Sequence, residues 1–168
     1  MTAVVIVVAL AAAVALGVAA AQLRPRRRPA YQGKGRILVP FSGALDPVVL
    51  DAAIRIASAQ ESELVAAYLL VVPLQYPEDS ARKEQVAVAL PLLEAVELAA
   101  LRAGVPVDAR IEKGRSLTHA LRRLWEVESF DRIVAPAPGF TAKELAWILT
   151  HAPAETIVLR PSPTAVAA

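Results

Sequence analysis

Three observations predict a doubly wound α/β fold built on a five-stranded parallel sheet. Short apolar runs recur at residues 37–39, 64–72, 133–135 and 156–159, of the kind that forms strands covered on both faces. Between them lie segments with apolar residues at helical spacing, several opened by a capping residue. One further run, 105–112, alternates Val107, Ala109 and Ile111 with Asp108, Arg110 and Glu112, and has Pro106 near its start. That is the pattern of a strand at a sheet edge. Five strands alternating with four helices call for parallel pairing through right-handed βαβ crossovers.

Residues 3–21 carry no charge, and the run is about as long as a bilayer-spanning helix needs, roughly 20 residues. A buried core helix would show a polar face, and none is present. Ala19-Ala20-Ala21 also offers a small-residue cleavage site for a signal peptide. However, the bases Arg24, Arg26, Arg27, Arg28, Lys34 and Arg36 all follow the run, which puts its positive side at the C-terminal end. The expectation is one transmembrane helix over 1–23, a basic linker over 24–35, a domain over 36–161 and a disordered tail over 162–168. The chain is then single-pass in the plasma membrane, with its C-terminal domain cytoplasmic. Lys and Arg number 18 against 16 Asp and Glu; without the six bases named, 12 stand against 16, a balance of −4. That balance argues against nucleic acid as a partner. The basic cluster is expected to rest on the anionic headgroups of the lipid bilayer, at about 1 kcal/mol per residue.

Within the domain, Asp46-Pro47 caps and starts the first helix, whose stripe is Leu50, Ala53, Ile54 and Ala57. Ser80 is placed to cap a long helix that Gly104 stops, with Pro91 inside it. Ser116 caps the helix of Leu117, Leu121 and Leu124. After the run at 133–135, Pro136-Ala137-Pro138-Gly139 turns the chain, and Thr141 with Glu144 forms a capping box. Leu145, Ile148, Leu149 and Ala152 make the last helical stripe, which Pro153 ends.

These residues resemble the universal stress protein family over 36–161. Arg36-Ile37-Leu38-Val39-Pro40 is similar to its opening strand, Gly104-Val105-Pro106-Val107 to its third and Phe130-Asp131-Arg132-Ile133-Val134 to its fourth. Gly139 falls on the second glycine of the family's Gly-x-x-Gly loop, and Thr150 on the hydroxyl position of its Gly-Ser pair. The resemblance implies sheet order 3-2-1-4-5, an adenine nucleotide alpha hydrolase-like arrangement, and a nucleotide site at Ser42, Leu69, Gly139 and Thr150. It also implies a homodimer through the last strand, and Ala13, Gly17 and Ala21 add small residues at the spacing that permits close helix approach. Three positions depart from the pattern. Ser42 replaces an acidic residue and lacks the paired acceptors of a carboxylate. Pro136 replaces the first loop glycine and, like Pro138, has no N–H to offer an anion. Leu149 replaces the helix glycine. The expectation is a degenerate site without a cofactor, with ATP as the alternative.

Ser42-Gly43-Ala44-Leu45-Asp46-Pro47 also resembles the Ser-Gly-Gly-x-Asp-Ser loop of ATP pyrophosphatases, but Ala44 and Pro47 depart from it. There is no cysteine, and His119 and His151 fall on separate helices, so no metal-ligand spacing or nucleophilic constellation is present. Trp125 and Trp147 read as packing residues. The function expected is that of a membrane-anchored, non-catalytic binding or regulatory module at the cytoplasmic face. Its partners are a membrane transporter or signalling protein and a second copy. The alternative is an ATP/AMP-binding stress sensor, and a further one an ATP pyrophosphatase-type enzyme.

Overall fold

Strand and helix alternate through the residues that the computed structural model describes, 35–77, 80 and 83–160. Their order is β1 (Arg36–Phe41), α1 (Pro47–Ala59), β2 (Glu63–Val71), α2 (Lys83–Arg102), β3 (Val107–Gly114), α3 (Leu117–Val127), β4 (Arg132–Pro136), α4 (Ala142–His151) and β5 (Glu155–Leu159). Contacts divide the chain into two units, Met1–Gln32 and Gly33–Ala168, and these elements belong to the second. The strands form one parallel sheet in the expected order, β3-β2-β1-β4-β5. β5 is thus an edge strand, on the side where pairing with a second copy is expected.

Ile37, Leu38, Val39 and Phe41 are wholly buried, and because successive residues of a strand point to opposite faces, both faces need cover. On one face Ile37, Val39 and Phe41 pack with Val49 and Ala53 of α1 and with Leu93 and Val96 of α2. On the other, Leu38 and Ile133 pack with Leu121 and Leu124 of α3 and Ile148 of α4. Each large side chain buried this way contributes about 1.5–3 kcal/mol. The stripes differ from expectation in that Leu50, Leu145 and Ala152 are only half-buried and Leu149 is exposed on the outside of α4.

Most helices begin where a side chain answers an otherwise unpaired N–H. Asp46 accepts from the Val48 N–H at 2.8 Å, ahead of Pro47, and Ser116 Oγ accepts from the His119 N–H at 3.1 Å. Ser80 does not cap α2. Its hydroxyl donates to the Pro77 carbonyl at 2.7 Å, and the helix begins at Lys83. Pro91 lies inside α2 on its exposed side without ending it.

β3 is an edge strand, yet its charged face is not open to water. Asp108, Arg110 and Glu112 are half-buried, and Arg110 draws the two carboxylates together with that of Glu128, the residue after α3. Glu128 accepts from Arg110 at 2.7 Å and from Arg36 at 2.6 Å, and Arg36 also donates to Glu63 at 3.0 Å. Glu112 lies 3.1 Å from Arg110. The hydrogen bond from Arg110 holds the Glu128 carboxyl below its ordinary range, while burial pushes Glu112 up.

The expected transmembrane helix is corrected. No helix among the described residues is long and apolar enough to cross a membrane; the longest, α2, has 20 residues and carries Lys83, Glu84, Glu94, Glu97 and Arg102. Residues 1–23, where the anchor was expected, lie outside the described residues, as do the linker expected over 24–35, apart from Gly35, and the tail over 162–168. With the anchor go the readings that rest on it. These are the fold class with a preceding membrane helix, the single-pass plasma-membrane location with a cytoplasmic domain, contact with the lipid bilayer and anionic headgroups, a membrane transporter or signalling protein as partner, and the anchored regulatory module.

The folded pKa of Glu128 lies below its unfolded one. Its stabilisation is therefore complete above the ordinary value of 4.5 and is lost as pH falls through the folded value. Urea denaturation of the full chain is expected to find Glu128→Gln less stable than the parent near pH 7, with the gap closing as pH falls below 4.5. Burial, the main cause of the opposite shift at Glu112, is present in both proteins, and the smaller part that comes from the Glu128 charge is lost with it in the variant. A gap independent of pH contradicts the assignment.

Candidate functional site

β1 leads through α1 to one side of the sheet, and its neighbour β4 leads through α4 to the other face and the other side. The connections 42–46 and 137–141 therefore leave adjacent strands and diverge, which opens a crevice at the strands' C-terminal ends. In sheets of this kind, that reversal is where ligands bind.

Two glycines shape its walls. Gly43 has φ +74° with open space where a side chain would go. Gly139 has φ +92°, and a Cβ there would stand 2.7 Å from the Ser42 carbonyl oxygen. Only glycine allows both the left-handed backbone and the close approach. The two loops touch at this point, and Ser42 is half-buried beside it.

The Leu69 side chain belongs to the core beneath α3, so only its backbone faces the crevice. The Glu63 N–H donates to the Gly35 carbonyl at 3.0 Å and the Leu64 N–H to the Pro106 carbonyl at 2.9 Å. Successive residues of β2 thus face β1 and β3 in turn, and Leu69 faces β1. The last β1–β2 pair is Phe41↔Tyr68, so the Leu69 carbonyl is directed past the end of β1, toward the loop at Ser42 and Gly43.

Thr150 is not part of this gathering. It lies in the last turn of α4 and its hydroxyl donates to the Ala146 carbonyl at 2.7 Å. Eight residues of helix separate it from Ala142, about 12 Å. Leu149 is at the same far end and does not crowd the loop. The hydroxyl that does stand at the loop is that of Thr141, the N-cap of α4. Its Oγ1 accepts from the Glu144 N–H at 3.3 Å, while the Glu144 carboxylate accepts from the Thr141 N–H and from Oγ1, each at 2.8 Å. The Thr141/Glu144 spacing that marks the start of a helix thus also marks a wall of the crevice. Among the loop's backbone donors, Pro136 and Pro138 have none and the Ala137 N–H is given to the Leu159 carbonyl at 2.8 Å. The N–H groups of Gly139 and Phe140 remain.

Elsewhere the polar residues are structural. His119 Nδ1 accepts from the Arg115 N–H at 3.1 Å, and the His151 ring stacks on Trp147, which stacks in turn on Trp125 at 5.4 Å. Among the described residues no three His, Cys, Asp or Glu are grouped to hold a metal ion. A cavity of about 320 Å³ lined by Trp125, Glu126, Val127, Glu128, Ser129, Phe130 and Pro153 lies at the opposite, N-terminal ends of β4 and β5.

No protein-family model matches the chain, and no curated protein is similar to it in sequence. Solved structures are similar in fold. A universal stress protein in complex with cAMP is 18% identical with a TM-score of 0.59, over 76% of this chain and 98% of that one. A universal stress protein family protein from Arabidopsis thaliana with AMP bound is 15% identical with a TM-score of 0.58, over 80% of this chain and 97% of that one. The universal stress protein of Archaeoglobus fulgidus in complex with dAMP is 14% identical with a TM-score of 0.59, over 74% of this chain and 97% of that one. At these identities the likeness establishes the fold alone.

The two glycines can be separated by measurement. Gly43→Ala is expected to cost about 1–2 kcal/mol, the price of a left-handed backbone. Gly139→Ala adds the collision with the Ser42 carbonyl and is expected to cost about 1–3 kcal/mol more. Urea midpoints of the full chain compare them, and equal losses would mean that the loops do not touch.

Proposed function

We propose that the domain is a non-catalytic binding module that takes an adenosine-bearing small molecule in the crevice between the β1–α1 and β4–α4 loops. The observation that carries this reading is the meeting of Gly139 with Ser42 at the reversal of strand order, with the Leu69 carbonyl facing the same place. Proteins of this fold are known with cAMP, AMP and dAMP, which share an adenine base, a pentose and one phosphate. In this arrangement the Leu69 carbonyl accepts from the adenine amino group. Ser42 hydrogen-bonds a ribose hydroxyl, and the Gly139 and Phe140 N–H groups face the 5′ end. Thr150 has no part, and Thr141 takes the place at the loop that its hydroxyl was expected to fill. Asp46 serves as the cap of α1, and Ala44 and Pro47 depart from the pyrophosphatase loop, so that reading has no residue of its own to rest on.

Thermal unfolding of the full chain tests the proposal. Adenosine at 100 times its dissociation constant is expected to add about 2.7 kcal/mol, seen as a rise of several degrees, and guanosine to add much less. Ser42→Val should reduce the rise without lowering the melting temperature of the free protein by a comparable amount. No rise with adenosine, or an equal rise with guanosine, overturns the reading.

A further inference from the structure

Helix α2 has two apolar sides, and only one of them faces the sheet. Ala89, Leu93, Val96 and Ala100 are buried against β2 and β3, at the edge of the sheet opposite β5. On the outside, Glu84, Val88, Pro91, Ala95, Leu98 and Arg102 are all exposed, Val88 by 57% and Leu98 by 48%. They follow one another at intervals of four and three residues in turn, which draws a single seam along the helix. That is the spacing by which two helices pack side by side. The seam is apolar through its middle, from Val88 to Leu98, about three turns, and an apolar strip of this kind in water marks a contact surface. The other charges of α2, Lys83, Glu94 and Glu97, stand about 80–140° around the helix from it.

The seam is complementary to itself when reversed. With a two-fold axis level with Leu93, Glu84 lies across from Arg102, Val88 across from Leu98 and Pro91 across from Ala95, and the symmetry makes each pair twice. Carboxylate meets guanidinium at both ends, the larger apolar side chains meet each other, and the compact ones meet at the centre. A parallel pairing would set Glu84 against Glu84 and Arg102 against Arg102. Glu84 also has an interaction within its own chain, and a carboxylate accepts from more than one donor. We infer that the outer face of α2 docks a second copy of this chain, with the two helices antiparallel along this seam. The charges at its ends select that occupant and that direction. The inference is independent of the ligand reading above.

Sedimentation equilibrium of the full chain tests it. Leu98→Asp is expected to raise the dissociation constant of the dimer about a hundredfold, because two apolar contacts are lost in each dimer. The side chain is half exposed, so the fold should survive, and circular dichroism checks that it does. Glu84→Arg and Arg102→Glu should each weaken the dimer about tenfold, since either change sets like charges against each other at both ends. An equal mixture of these two variants should regain the parent's association, as should the chain carrying both changes, and no defect in folding would be repaired by mixing. A chain that stays monomeric at the highest concentration reached, an association unmoved by Leu98→Asp, or a mixture that associates no better than either variant alone overturns the inference.

Discussion

The burial of β1 on both faces is the constraint from which the rest of the domain follows. With Ile37, Leu38, Val39 and Phe41 all removed from water, the strand's N–H and C=O groups must be paired on both sides by neighbouring strands, since an unpaired buried group costs about 1–3 kcal/mol. β2 and β4 provide that pairing. Both faces must also be roofed by helices, and parallel neighbours roofed by helices are reached only through crossovers. One crossover leaves β1 toward β2 and another leaves β4 toward β5, so their loops diverge. The crevice at Ser42 and Gly139 is thus a result of how the core is buried, and its position does not depend on any one residue that lines it.

What lines it does depend on particular residues, and there stability and binding draw on the same groups. The bonds between Thr141 and Glu144 that start α4 also consume donors and place a carboxylate beside the loop. Pro136 pairs with Leu159 in the sheet, and the Ala137 N–H fastens the loop to β5. Each of these holds the last βαβ unit together while reducing what an anion could use. A wall built this way is stiff and poor in donors.

The elements legible in the sequence were those fixed by near neighbours. The apolar runs of β1, β2 and β4, and the caps at Asp46, Ser116 and Thr141, depend on residues within a turn or on a two-sided pattern, and they stand where expected. Ser80 was misjudged because Pro77 offers its hydroxyl a nearer carbonyl. The alternation in β3 marked it as an edge strand, which it is, but alternation reports which residues share a face and nothing of what covers them. Glu128, 18 residues from Arg110 in sequence, supplies that cover. Thr150 was placed at the site by counting along a motif. The ten-residue α4 starts at Ala142 and carries that position to its far end, leaving Thr141, whose role as a cap was plain, as the hydroxyl at the loop. The membrane reading came from a segment outside the described residues.

An isotope-edited NMR titration of the labelled full chain with adenosine tests the central claim most directly, because it locates the ligand without presupposing its pose. The account predicts that the amides of Ser42, Gly43, Gly139 and Phe140 shift together along a single saturation curve, while those of Trp125, Ser129 and Phe130 at the opposite end of the sheet do not move. Shifts gathered at Trp125, Ser129 and Phe130 instead, or no shifts at saturating adenosine, would contradict it.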